Sequence, residues 1–210
     1  MSFARRKMFI ITGAEGSGKT RVINDLAKIA SFYLLNYITT GPVKELGVIP
    51  VSWEEYNKFA ENDGFVISYK KRSAMFGVTY EEMKRAEESG KPIVWEVDIQ
   101  WVETVKNQYP EAMIILVNGL GFEGFYKHYK SKGYAVQNFM ANQAKQAENL
   151  HSIWRSEMDH VVENRFGESQ KAAEEIRDII EGKHFHKGAQ TQSELDKLRE
   201  QNRAILENKV

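Results

Sequence analysis

Gly13-Ala14-Glu15-Gly16-Ser17-Gly18-Lys19-Thr20 follows the apolar run Met8-Phe9-Ile10-Ile11 and leads into a helical pattern from Val22 to Ala30. The spacing is G-x-x-x-x-G-K-[ST] between a strand and a helix, which is the setting of a phosphate-binding loop. Glycines let the backbone close into a concave turn whose N–H groups converge on phosphate oxygens. The N-terminus of the next helix adds positive potential. Lys19 is therefore the candidate catalytic cation, placed to hold the β- and γ-phosphates of ATP. Gly13, Gly16, Ser17, Gly18, Thr20 and Arg21 are the candidate binding residues around it. Thr20 also carries a hydroxyl suited to Mg²⁺, an ion that keeps most of its water and needs few protein ligands.

The chain outside this loop sets the class. Its 210 residues are enough for one domain with a sizeable core, with room for an appendage. Twenty-nine basic residues balance 29 acidic ones, which removes the usual electrostatic argument for nucleic acid or an anionic membrane as partner. The absence of cysteine excludes disulfides and thiolate chemistry and fits a cytoplasmic setting. No apolar stretch is long enough to span a membrane.

Apolar runs at Met8 to Ile11, Ile93 to Val97, Met113 to Val117 and His160 to Glu163 alternate with helical periodicity. That alternation predicts an α/β fold, a P-loop NTPase-type parallel sheet with flanking helices. Ser52 with Glu55 and Thr79 with Glu82 read as capping boxes opening two helices. The helix from Tyr80 is expected to stop at Gly90, and that around Lys171 to Ile180 at Gly182. The stretch Tyr37 to Gly90 is too long for one crossover and is expected to form a substrate-side insertion of turns and short helices. From Lys183 the composition turns polar. A further helix is expected from Ser193, with Leu195, Leu198, Asn202 and Ile205 along one narrow stripe that docks on the body or mediates self-association. His184 and His186, in a polar tail without nearby carboxylates, do not read as a metal site.

Four pieces, in order, resemble the guanylate kinase family over most of residues 7 to 183. They are the phosphate loop; Tyr37-Ile38-Thr39-Thr40 followed by Val51-Ser52-Trp53-Glu54-Glu55-Tyr56; Phe76-Gly77-Val78-Thr79; and Trp95-Glu96-Val97-Asp98-Ile99-Gln100. Tyr109 to Ile115 and Asp159 to Asn164 resemble the strands that follow. The resemblance implies a domain over 1-183, with an acceptor-binding insertion at about 36-90 and a lid at about 122-145, leaving 184-210 as a polar linker and helix. It implies transfer of the γ-phosphoryl of Mg-ATP to a nucleoside monophosphate, chemistry that rests on positioning and charge neutralisation. Small-molecule nucleotides are thus the implied partners, with GMP or dGMP the default acceptor.

The resemblance also assigns residues. Tyr37, Thr39, Thr40, Lys44, Ser68, Phe76, Glu96 and Asp98 fall on the acceptor side, Asn164 at the adenine edge, and Lys130 and Lys132 in the lid. Where the family carries arginines and a tyrosine after its Thr-Thr pair, this chain has Gly41, Lys44 and Val48. Phe76 replaces a second tyrosine, Ile67 or Ser68 a guanine-reading glutamate, and Asn142-Gln143 a further arginine pair. A lysine is a point charge without the bidentate fork of arginine. Lys70-Lys71-Arg72 is a basic cluster that could stand in for the missing clamp. Glu96 and Asp98 lie two apart on an expected strand, which would put both carboxylates on one face to hold Mg²⁺ or orient the acceptor. Asp98, with Lys130 and Lys132 of the lid, joins Lys19 as a catalytic candidate, and Glu96 joins Thr20 as a metal candidate. Two alternatives stay open: another phosphorylated acceptor such as a different nucleotide or a ribose phosphate, and a catalytically weakened nucleotide-binding scaffold.

Overall fold

The computed structural model describes residues 7–14, 16–43, 46–71, 73–119, 130, 133, 159–165 and 167–183. They form two sheets. The strands are β1 (Met8–Thr12), β2 (Tyr33–Leu34), β3 (Tyr37–Thr39), β4 (Val48–Pro50), β5 (Phe65–Lys71), β6 (Ala74–Thr79), β7 (Ile93–Glu96), β8 (Met113–Asn118) and β9 (His160–Glu163). The helices are α1 (Lys19–Ile29), α2 (Trp53–Glu61), α3 (Tyr80–Glu88), α4 (Val102–Gln108) and α5 (Ser169–Ile180). One sheet has the order β2-β7-β1-β8-β9 and the other β4-β3-β6-β5.

In the first sheet the β1–β8, β2–β7 and β8–β9 pairs are all parallel. Every residue of β1 is buried, as are the central four of β8. Strands covered on both faces need continuous apolar runs, which explains why the β1 and β8 runs are so visible in the sequence.

The chain divides into two compact units, residues 7–8 with Ser31–Glu96, and Phe9–Ala30 with the described residues from Val97 onward. In the second unit α1 buries Val22, Ile23 and Leu26, and α5 packs on α1 while burying Ala172, Ala173, Ile176, Ile179 and Ile180. Alanine at two of these positions lets the helices approach closely, and each buried isoleucine contributes about 1.5–3 kcal/mol. α5 ends on Gly182, whose N–H donates to Ile179 O (3.0 Å) while Lys183 N–H donates to Asp178 O (2.8 Å), a Schellman motif.

A polar contact ties the same two helices. Ser169 Oγ donates to Asp25 Oδ2 (2.7 Å), and Lys28 Nζ donates to Asp25 Oδ1 (2.7 Å). Those two hydrogen bonds, Lys28 first, hold the Asp25 carboxyl below its usual range. A carboxyl depressed in the folded state stabilises above its unfolded pKa, and that contribution disappears as pH falls through the folded pKa. Below about pH 4 the native chain should therefore lose Tm more steeply than Asp25→Asn, which keeps an acceptor for Ser169. The difference should reach about 2–4 °C in thermal melts across pH, for up to about 1 kcal/mol.

The first unit holds the second sheet, and here the expectation of turns and short helices needs correcting. Four strands, β3 to β6, occupy that stretch beside α2 and α3. β3 pairs parallel with β4 and antiparallel with β6, and β5 pairs antiparallel with β6, setting Tyr69 opposite Phe76. Short strands joined by a tight connection carry little periodicity of their own.

The two expected capping boxes differ. At α2 the box is complete: Ser52 Oγ accepts from Glu55 N (3.1 Å) and Ser52 N donates back to Glu55 Oε2 (2.8 Å). The Ser52 hydrogen bonds hold the Glu55 carboxyl below its usual range. At α3 only half forms. Thr79 Oγ1 accepts from Glu82 N (3.1 Å), but Glu82 is 4% exposed and its Oε1 accepts instead from Asn36 N (2.9 Å) and Asn36 Nδ2 (2.7 Å). A buried carboxylate takes the partners that satisfy it best, and two converging N–H donors outweigh one reciprocal cap.

Candidate nucleotide-binding site

The phosphate loop lies in the second unit, and its shape follows from its residues. Gly18, the N-cap of α1, has φ 84°, a left-handed conformation that favours glycine. Ser17 N–H donates to Ala14 O (3.0 Å), closing the turn. Lys19 is 7% exposed, and its ammonium donates to Gly13 O (2.9 Å) and Ala14 O (3.1 Å), so the charge sits against the loop's own backbone.

α1 opens without a side-chain cap and without an acidic residue in its first turn. By contrast α2 and α3 each open on a hydroxyl cap with two glutamates in the first turn. A helix N-terminus of that kind suits an anion, whose oxygens meet the first N–H groups and the positive end of the dipole. Thr20 lies half-buried in the same turn and Arg21 is exposed. One hydroxyl beside a phosphate cradle is the sparse, hard-oxygen donor set that Mg²⁺ accepts. Among the described residues no three or more His, Asp or Glu side chains gather as a metal site.

Behind the loop are residues that motif reading did not find. A Cβ on Gly119, just after β8, would lie 2.4 Å from Ser17 Cα, so only glycine lets the loop pass this close. The Asn118-Gly119 pair ending a buried strand is a turn signal that could have marked it. Asn164, expected at the adenine edge, is 6% exposed, and its amide donates to Ser17 O (2.7 Å).

Two further expected residues of this unit can be placed. Asp98 is half-buried and lies beyond β7, which ends at Glu96; it opens a 3-10 turn over Ile99–Trp101, with Trp101 N donating to Asp98 O (2.8 Å). The two carboxylates therefore do not share one hydrogen-bonded strand, because the turn takes over the backbone. Lys130 is exposed. Lys132 and the rest of the expected lid, except Gly133, lie outside the described residues, as do Lys44, Arg72, His184, His186 and the C-terminal stripe.

The acceptor-side candidates lie in the first unit, and several hydroxyls expected to meet a phosphate are engaged elsewhere. Tyr37, 6% exposed, donates to Glu96 O (3.0 Å) and accepts from Trp95 Nε1 (2.7 Å). Thr39 is fully buried; it donates to Met75 O (2.7 Å) and accepts from Gly41 N (3.2 Å). Thr40 Oγ1 accepts from Met75 N (3.0 Å). Buried hydroxyls next to strand backbone satisfy it, and Tyr37 and Thr39 help to hold β3 in place.

Aromatic rings from β3, β5 and β6 pack together in this unit. Phe76, half-buried, stacks on Tyr69 with centroids 5.9 Å apart, and Tyr69 meets Tyr37 edge-on at 6.1 Å. Tyr56 donates to Phe76 O (2.9 Å), which leaves Ser68 Oγ to donate to Tyr56 at 2.8 Å; burial raises the Tyr56 phenol pKa. Ser68 and Lys70 are exposed, whereas Ile67 is buried. Glu96 is half-buried, with its main-chain carbonyl taken by Tyr37.

A parallel sheet with flanking helices and a glycine-lysine-threonine loop opening α1 define a P-loop nucleotide-binding α/β protein. The family model for guanylate kinase matches residues 5–183, and the chain belongs to the guanylate kinase family, a class of nucleoside monophosphate kinases. The guanylate kinase of Caldanaerobacter subterraneus subsp. tengcongensis is 27% identical over 164 residues, covering 75% of this chain and 79% of that one. That of Clostridium acetobutylicum is 24% identical over 145 residues, covering 67% and 69%. The crystal structure of guanylate kinase from Anaplasma phagocytophilum superposes with a TM-score of 0.63 at 13% identity, over 87% of this chain and 88% of that chain, a likeness of fold.

Proposed function

We propose that the chain transfers the γ-phosphoryl of Mg-ATP to a nucleoside monophosphate, with GMP or dGMP as acceptor, in a cytosolic setting. The observation that carries the donor half is Lys19, whose buried ammonium rests on two neutral carbonyls, Gly13 O and Ala14 O. An ionised phosphate oxygen adds to an ammonium hydrogen bond the attraction of opposite charges, which a neutral peptide carbonyl does not supply. The loop therefore holds the Lys19 ammonium where the phosphates of an arriving ATP would meet it. Thr20 would hold the Mg²⁺, which when bound neutralises charge on the phosphates. Such chemistry needs no protein nucleophile.

Support for the acceptor half comes from the family, with relatives named guanylate kinases. The Ser31–Glu96 unit is the proposed acceptor-binding part, with the half-buried Phe76 ring, backed by the buried Tyr69, supplying a flat apolar face suited to a base. A lid over about 122-145, carrying Lys130 and Lys132, is proposed to complete the site.

Following ADP release with GMP, dGMP, AMP, CMP, UMP and ribose phosphates as acceptors tests this. GMP or dGMP should exceed every other acceptor in kcat/KM by at least about tenfold, or about 1.4 kcal/mol. Turnover of a ribose phosphate in preference to GMP would replace the acceptor, and ATP binding without turnover of any acceptor would leave a scaffold.

A further inference from the structure

Asn164 follows β9 directly, and its two ends do different things. Its backbone N–H donates to Asn118 O (2.7 Å), extending the β8–β9 pairing by one residue. Its side-chain amide leaves the sheet and donates to Ser17 O (2.7 Å). That acceptor is a carbonyl, so the amide must present its nitrogen.

The Ser17 carbonyl shares a rigid plane with the Gly18 N–H, and in a trans peptide the two point in opposite directions. Holding the carbonyl toward Asn164 therefore fixes the Gly18 N–H away from β9. The fit is tight from both sides. A Cβ on Gly18 would lie 2.4 Å from Asn164 Nδ2, and one on Gly119 would lie 2.4 Å from Ser17 Cα. The Ser17–Gly18 peptide is thus wedged between the residues that follow β8 and β9. The arrangement also carries a cost. Asn164 Oδ1 is buried and, among the described residues, has no hydrogen-bond partner. The asparagine thus leaves its own oxygen without a partner while its nitrogen holds the buried Ser17 carbonyl, so the contact is directed at the loop backbone.

We propose that Asn164 is a positioning residue for phosphate binding: it locks the Ser17–Gly18 peptide so that the loop's N–H donors are preset for a nucleotide's phosphates. This rests on the donor half of the proposed function. A preset donor costs no reorganisation when the ligand arrives, whereas a peptide free to flip must be ordered first.

Asn164→Leu keeps the volume and removes the donor, and Asn164→Ala serves as a second variant should the first not fold. Three readouts apply to each: hydrogen exchange at residues 17–20 without nucleotide, KM for ATP against KM for the acceptor, and Tm. Exchange in the loop and KM for ATP should each rise about tenfold, the worth of one buried hydrogen bond, while KM for the acceptor stays at the native value. Gly18→Ala should cost less in the Asn164→Ala background than in the native one, because the steric conflict with Nδ2 is gone. Native exchange and native ATP KM in both variants would overturn the proposal. So would an equal rise of both KM values accompanied by a lower Tm, which is the mark of general loosening. If the native chain neither binds a fluorescent ATP analogue nor turns over, the functional reading fails, yet the exchange data still decide whether Asn164 holds the loop.

Discussion

Replacing Lys19 by methionine is expected to lower kcat/KM for phosphoryl transfer by about 10²–10³-fold while leaving the fold intact. The argument has two parts. Methionine keeps the unbranched stem that fills the buried path from α1, so packing changes little. What disappears is the ammonium, now bound to Gly13 O and Ala14 O and proposed to meet the transferring phosphoryl. Removing one preorganised electrostatic partner of a developing charge costs about 2.7–4 kcal/mol in the transition state. Steady-state kinetics with Mg-ATP and the best acceptor, with a thermal melt on the same samples, measures both. A loss of less than tenfold, with Tm unchanged, would remove Lys19 from the reaction.

The largest effect on stability is expected at Trp95. It is fully buried on β7, and its indole N–H donates to the Tyr37 hydroxyl, which in turn donates to Glu96 O. Trp95→Ala removes the ring and empties its space, at about 3–5 kcal/mol. Against a total stability of about 5–15 kcal/mol that is a large share, and at about 2–4 °C per kcal/mol it should lower Tm by about 6–20 °C. Tyr37→Phe acts on the same chain of bonds more gently, leaving the indole N–H unpaired for about 1–3 kcal/mol. Because both changes break one hydrogen bond, the double variant should lose less than the sum of the two, and denaturant titration of all four proteins measures the difference. Strict additivity would mean that the Trp95–Tyr37 bond contributes nothing.

How legible each feature was in the sequence depended on how far apart its partners are. The phosphate loop was legible because its chemistry is contiguous, as were β1 and β8, whose buried faces leave unbroken apolar runs. The Ser52–Glu55 cap was legible for the same reason. The fate of Glu82 was not, since its carboxylate is claimed by Asn36, 46 positions away. Nor was that of Tyr37, whose hydroxyl is taken by Trp95 from 58 positions away, or of Asn164, whose partner Ser17 is 147 positions away. The β5–β6 hairpin was missed because its turn lacks an Asn-Gly or Gly-Gly signal. Gly77, which reads as a breaker, is instead held in the strand under the ring of Phe65: a Cβ there would meet that ring at 2.4 Å. Residue types suggested which groups carry phosphate chemistry; only the fold shows which of them are already spent.

The uncapped start of α1 has a thermodynamic side. Ser52 and Thr79 cap their helices with a side-chain oxygen, whereas α1 opens on Gly18, which has no side chain. On the proposed function, a nucleotide's phosphates would bond the first N–H groups of α1 and act as its cap. Linkage then makes the chain's resistance to unfolding a function of nucleotide concentration, worth about 2.7 kcal/mol at a hundred times Kd. A cell depleted of nucleotide would hold this chain in its less durable form, so its lifetime would follow the supply of its own substrate.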